Sequence, residues 1–217
     1  MDSMSYILFI CVAAPALLML LPIEKQSRKV VLFMLTGMFC CLFVSEVNGL
    51  LLRISDFDLL YFTTNITPIT EEIVKALPVL FFAVVFSDSK KDIITASFSV
   101  GVGFAILENL IVLTQNFQSV NLMFAVIRGF CSGLMHSICT IAVGYFIAFI
   151  RKRKKIFITG TISALNLAIV YHSVFNLLVQ SDSSAAQNIG LLLPFLTYVI
   201  LNTAVILKSK RKSTAKN

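Results

Sequence analysis

Charge is scarce in this sequence. Its 217 residues carry 18 Lys+Arg, 11 Asp+Glu and two His, while 58% are hydrophobic and mean hydropathy is +0.90. A water-soluble core of this length needs far more polar surface, so a soluble globular domain is excluded. No CxxC pair occurs among Cys11, Cys40, Cys41, Cys131 and Cys139, and neither a zinc ribbon nor a disulfide framework is suggested. All five lie in apolar stretches and read as small buried hydrophobes. HExxH is missing, as is any other local zinc signature. Repeats, low-complexity tracts and extramembrane domains are absent too. The longest outer connections, near Arg53–Thr64 and Gln180–Asn188, read as loops too short to fold alone. The opening MDSMSYILF has no basic n-region and is not expected to be a cleaved signal peptide.

What the chain has in abundance is long apolar runs. Crossing a bilayer as helix takes about 20 such residues. Seven stretches qualify, roughly 5–22, 30–52, 66–86, 93–114, 122–150, 156–179 and 189–207. Continuous runs rather than alternation fill them, which argues against strands. The expected fold is an all-α, polytopic transmembrane helical bundle of about seven spans, with residues 1–217 as a single integral membrane domain.

Fifteen of the 18 Lys+Arg sit on alternate connections that share one side: Lys25, Arg28 and Lys29; Lys90 and Lys91; Arg151 to Lys155; and Lys208, Lys210, Arg211, Lys212 and Lys216. The opposite side has only Arg53. By the positive-inside rule the N-terminus is outside and the C-terminus cytoplasmic. The basic runs therefore serve topology and anionic lipid headgroups of the bilayer, not nucleic acid.

Against this background the polar residues inside spans stand out. Glu46, Glu71, Glu72 and Glu108 lie in apolar segments, as do both histidines, His136 and His172. An ionisable group at membrane depth costs at least a few kcal/mol and is kept where it has work or a partner. Topology brings Glu71, Glu72, Lys75, Glu108, Asn109, Arg128, His136, His172 and Asn176 to similar depth in the outer half of the bilayer. Glu71 and Lys75 are i, i+4 with the acid first, the favourable order for a helical ion pair. Glu72 is turned about 100° away, so it needs another partner. Pro78 removes the bond to the Val74 carbonyl and can admit water or substrate backbone. His172 and Asn176 share a face, and Arg128, Ser132 and His136 follow at i+4 steps. Gly101, Gly103, Gly129 and Gly133 suit close helix approach. Blander readings exist: an ion pair near a helix end for Glu71, Glu72 and Lys75, a helix end near the interface for Glu108 and Asn109, a packing histidine for His136, a snorkelling Arg128, and interfacial solvation for Glu46 and Asn48.

The segments E71-E-I-V-K75, F104-A-I-L-E-N109, R128 followed by H136-S-I-C-T140, and H172-S-V-F-N176 resemble, in order and spacing, the four motifs of the PrsW family of intramembrane proteases. The likeness covers a core of roughly residues 66–180. That family is distantly similar to the CAAX prenyl endopeptidases and bacteriocin-processing-type membrane proteases. The resemblance implies a bacterial plasma-membrane endopeptidase that makes the first cut in a single-span anti-sigma factor near its extracytoplasmic side. One departure stands out: the CAAX-type enzymes carry FxxxH where this chain has Phe104-x-x-x-Glu108. A histidine cannot be carried over to that position, and His136 becomes the candidate for its role. Phe175 also stands where related sequences often have tryptophan.

Peptide hydrolysis needs an activated water, a stabilised oxyanion and an acid for the leaving amine. Glu71 or Glu72 could take the proton from water, and His172 and Asn176 could donate to the oxyanion. Lys75 and Arg128 would balance the carboxylates, and either could touch the substrate carbonyl. The alternative chemistry uses Zn2+, with ligands drawn from Glu71, Glu72, Glu108, His136 and His172, since two histidines and a carboxylate complete a catalytic zinc set. The sequence does not separate the two, and the CAAX-type likeness tilts towards glutamate alone. Two rival classes gather similar residues: an ion- or proton-coupled transporter, and a non-catalytic immunity- or chaperone-type protein. Against the transporter, no inverted repeat is seen and the polar groups stop short of the inner half.

Overall fold

The apolar runs fold as helices, and no strand occurs among the described residues, 3–118 and 120–214 of this computed structural model. Seven helices follow in chain order: α1 (Ser3–Met19), α2 (Lys25–Ile54), α3 (59–86), α4 (Lys90–Gln115), α5 (Leu122–Ile150), α6 (Lys154–Val179) and α7 (Ser184–Thr214). Five of them, α2 and α4 to α7, are long and apolar enough to cross a membrane, and α1 is shorter. Of the basic residues counted for topology, Lys216 and the side chains of Lys154, Lys208, Lys210, Arg211 and Lys212 lie outside the described residues.

Helix α3 is a composite. It joins α-helical turns at Leu59–Tyr61 and Thr67–Phe81 to π-helical turns at Phe62–Ile66 and Phe82–Phe86. It starts at Leu59, not near residue 66, because Asp58 caps it, its Oδ1 accepting the Tyr61 N–H at 2.8 Å. The expected loops at 53–64 and 180–188 are accordingly shorter, α3 beginning at Leu59 and α7 at Ser184. In the first π-turn the Thr67 N–H donates to the Phe62 carbonyl. Pro68 has no N–H to give, so the Thr63 carbonyl is left without a helical donor. Pro78 likewise strands the Val74 carbonyl. The helix nevertheless runs on to Phe81, and the Cys40 thiol from α2 donates to that carbonyl at 3.7 Å. The carbonyl freed by Pro78 is thus a joint to α2, not an opening for water.

Packing centres on α4, which lies most extensively against α2 and α5. Glycine makes that approach possible. A Cβ on Gly103 would overlap the Met34 carbonyl, one on Gly37 would overlap the Val100 carbonyl, and one on Gly101 would come within 2.8 Å of the His136 carbonyl. Gly129 and Gly133 differ from expectation: neither has anything within 4 Å of its Cβ position, because that face of α5 looks onto a cavity. Two apolar clusters result. One joins Ala76 and Val79 of α3 to Val100, Met135 and Ala168, and the other joins Met38 and Val44 of α2 to Phe104 and Leu107. Outside, Phe39, Leu77, Phe130, Leu167 and Val170 are exposed, as a lipid-facing surface requires.

At the end of the bundle where α2 and α4 begin, Lys29 pairs with Asp92 at 2.7 Å. There Arg151, after α5, holds the end of α3. It donates to the Ala83 carbonyl at 3.0 Å, to the Ser87 carbonyl, and to Asp88 Oδ1 at 2.7 Å. Gly103→Val should therefore cost about 3 kcal/mol in detergent unfolding, while Gly129→Ala stays within about 0.5 kcal/mol of wild type.

Candidate active site

All three ionisable side chains on the Thr67–Phe81 segment of α3 are buried: Glu71, Glu72 and Lys75, the last with no exposed surface. The expected pairing of Lys75 with Glu71 is not the one formed. The Lys75 ammonium instead contacts Glu72 Oε1 at 2.6 Å, His136 Nδ1 at 2.9 Å, and the face of Phe104, 4.6 Å from its centroid. An ammonium has no lone pair, so His136 Nδ1 must be the acceptor and the imidazole proton sits on Nε2. That nitrogen meets Glu108 Oε2 at 2.9 Å. The packing of His136 is set by Phe104 and His172, each with its ring centroid 5.0 Å away.

Glu72 has a second role. Its Oε1 accepts from His172 Nδ1 at 2.8 Å, leaving the Nε2 lone pair of His172 pointed towards Glu71 Oε2, 3.9 Å away. A histidine with one nitrogen on a carboxylate and the other open is the usual state of a metal-ligating imidazole. Glu71 Oε2 is itself buried with no hydrogen-bond partner. One ligand atom each from Glu71, His136 and His172 lies within 4.8 Å of the others. Two free lone-pair donors, Glu71 Oε2 and His172 Nε2, fit a divalent ion; His136, whose Nδ1 accepts from Lys75, would join them only by giving up that contact as well as Glu108.

Glu108 is the far wall of the site. Its Oε2 collects the Ser132 hydroxyl at 3.1 Å, His136 Nε2 and, at 3.3 Å, Arg128 Nη2. Arg128 is therefore held in the site and does not simply snorkel, and Ser132 joins it from the same stripe of α5. Glu71, Glu108, Arg128, Ser132, His136 and Asn176 line a cavity of about 580 Å³ whose apolar walls include Ile127, Met135 and Phe175.

Asn176 reaches the cavity but is occupied: its Nδ2 donates to the Thr63 carbonyl at 3.0 Å, the group that Pro68 left bare. Asn109 is not part of the cluster. It faces a second cavity of about 510 Å³ between α4, α5 and α7, beside Gly129 and Gly133. Neighbouring positions on a helix point about 100° apart, which is why Glu108 enters the site and Asn109 leaves it. Glu46 stays at the surface with the Tyr6 hydroxyl on its Oε1 at 2.5 Å, whereas Asn48 accepts from Thr70 at 2.6 Å. Thr63 and Gln180, joined at 2.8 Å on the cavity wall, were not singled out by sequence.

A helical membrane bundle with a buried carboxylate–histidine cluster opening on a cavity defines a class of intramembrane hydrolases. Residues 25–206 match the PrsW family intramembrane metalloprotease, and the chain belongs to that family. It is thus an intramembrane peptidase, a multi-pass protein whose substrate is a membrane protein. No curated protein and no solved structure matches it. Removing the ammonium while leaving its partner should be costly: Lys75→Met is expected to lose about 3–5 kcal/mol in unfolding, and adding Glu72→Gln should recover most of that.

Proposed function

We propose that this peptidase cuts a single-span membrane protein near its extracytoplasmic boundary, with Glu71, Glu72, Glu108, His136 and His172 as its reacting and positioning groups. The reading covers residues 1–217 as one protease domain in a bacterial plasma membrane, with the N-terminus outside. An anti-sigma factor is the substrate type implied by the family likeness. The observation that carries the site assignment is the unpartnered, buried Glu71 Oε2 facing the open nitrogen of His172 across 3.9 Å. Leaving a buried carboxylate oxygen bare costs stability, and here the cost falls on the wall of a cavity able to admit water.

Glu71 and His172 would hold the ion through their free lone pairs, with His136 able to complete the set only where its Lys75 and Glu108 contacts are released; Zn2+ suits two imidazoles and a carboxylate. When bound, such an ion supplies Lewis acidity and a water that loses its proton near neutral pH. The chain's own residues do the rest. Glu72 keeps His172 in the tautomer with Nε2 free. Lys75 compensates Glu72 and holds His136. Glu108 has its hydrogen-bond and ion partners on Oε2, which leaves Oε1 to accept a proton from the attacking water and pass it to the leaving amine. Asn176 ties α6 to the π-turn of α3 and so keeps the cavity's shape.

The test is cleavage of a panel of single-span reporter helices by the reconstituted protein, with and without a strong chelator. Chelation should abolish cleavage and Zn2+ should restore it; cleavage indifferent to chelator would assign the chemistry to glutamate without metal. Glu71→Gln and His172→Ala should be inactive yet folded. Glu108→Gln should lose about 10²–10⁴-fold, the usual worth of a general base. Glu72→Gln should lose about 10–100-fold through His172. Wild-type rates in these variants would refute the site. Reporter fusions should place the C-terminus in the cytoplasm and residue 182 outside; the reverse pattern would move the cut to the other face.

A further inference from the structure

Water addition puts negative charge on the substrate carbonyl oxygen, and a donor aimed at that oxygen is a large part of what a protease contributes. Besides His136, whose Nε2 proton belongs to Glu108, and the exposed Gln180 and Gln187, four side chains in or beside the cavity carry N–H groups suited to this. Three are committed. Lys75 is fully buried, with Glu72, His136 and Phe104 around its ammonium. The Nδ1 proton of His172 belongs to Glu72, and the amide of Asn176 belongs to the Thr63 carbonyl.

Arg128 is the fourth, and it is underused. A guanidinium offers five N–H donors in a fixed fork. Here its Nη2 reaches Glu108 at 3.3 Å, longer than the usual 2.7–2.9 Å of a charge-assisted bond. Its Nε is buried and has no acceptor. Glu108 does not depend on it, since Ser132 and His136 also donate to the same oxygen. Arg128 can turn without stranding a carboxylate.

The pattern of orphans is informative. Two side-chain atoms on the wall of this cavity are buried and unpartnered among the described residues: an acceptor, Glu71 Oε2, and a donor, Arg128 Nε. The acceptor is accounted for by the ion proposed above; the donor, Arg128 Nε, is complemented by the oxygen of a peptide carbonyl. We propose that Arg128 is a catalytic residue whose guanidinium holds the scissile carbonyl oxygen of the substrate as charge builds on it. This rests on the peptidase reading above and deepens it.

The step balances without further reagents. The water oxygen bonds to the carbonyl carbon as its proton passes to a carboxylate, and the C=O π pair moves onto the oxygen that Arg128 holds. Collapse returns that pair, breaks the C–N bond and delivers the proton to the leaving amine. Arg128 keeps its protons throughout, because guanidinium does not deprotonate in proteins.

The experiment compares wild type with Arg128→Gln, Arg128→Lys and Arg128→Ala on a fluorogenic single-span reporter that the wild type cleaves. Arg128→Gln should lower kcat about 10²–10³-fold, the worth of one oxyanion donor, with KM nearly unchanged. Arg128→Lys keeps the charge opposite Glu108 but not the fork, and should still lose about tenfold in kcat. Added guanidinium ion should return part of the kcat of Arg128→Ala. Wild-type kcat in Arg128→Lys, or a loss confined to KM, reduces Arg128 to charge balance or binding and overturns the proposal while leaving the peptidase reading intact. Should Arg128→Gln not fold, Arg128→Lys carries the test. No cleavage by the wild type on any reporter overturns both.

Discussion

The buried ammonium of Lys75 is the interaction from which the rest of the site follows. An ammonium taken out of water costs several kcal/mol, and only close, well-aimed partners offset it. Glu72 at 2.6 Å supplies the counter-charge, His136 Nδ1 a lone pair, and Phe104 the negative face of a ring. Each partner is then constrained in turn. Glu72, fixed by Lys75, fixes His172 through Nδ1, and His136, fixed at Nδ1, must give its Nε2 proton to Glu108. One cation on α3 thereby sets the tautomers of two histidines on α5 and α6 that are distant in sequence. Because Lys75 turns to Glu72, Glu71 is left with an unclaimed oxygen.

Much of this was legible before any coordinates. Span placement and helical rise brought Glu71, Glu108, His136 and His172 to one level, and the structure gathers them in one cluster. Which acid would take the lysine was not legible. The i, i+4 preference describes two groups competing in water on an isolated helix. In the core the choice lies with side chains from other helices: His172 and His136 meet Glu72 and Lys75, so the i, i+3 pair forms. Asn109 shows the same limit from the other side. Adjacent to Glu108 in sequence, it was grouped with it, yet one residue of helical rotation sends it to another cavity. Gly129 and Gly133 look like Gly101 and Gly103 in a string of letters. Only the placement of α2 and α5 around α4 separates close contact from open space.

The two prolines of α3 extend the argument from side chains to backbone. Each deletes a donor, and in hydrocarbon no water replaces it, so the stranded carbonyl must find a partner within the protein. The Val74 carbonyl takes the thiol of Cys40, and the Thr63 carbonyl takes the amide of Asn176. Both partners come from other helices. Defects in one helix have become joints between three, holding α3 to α2 on one side and to α6 on the other. Asn176, the last residue of the HxxxN motif, is thereby bound to the integrity of α3 as well as to the cavity.

This satisfaction of stranded groups makes the remaining orphans meaningful. A bundle that recruits a cysteine thiol to rescue one carbonyl is not careless with polar atoms. Yet Glu71 Oε2 and Arg128 Nε stay bare on the wall of the same cavity, beside a Glu108 whose contacts gather on one oxygen. A third such atom, Asn109 Oδ1, lies at the second cavity, so what singles these two out is that an acceptor and a donor meet at one cavity among carboxylates and histidines. Thr63, Thr67, Gln180 and Gln187 give that cavity polar walls along which water can reach Glu71. On the proposed reading, the stability forgone at these atoms is recovered when an ion and a peptide carbonyl fill the gaps. A site for hydrolysis would be incomplete by the measure of folding in just this way, its missing partners arriving with the reaction.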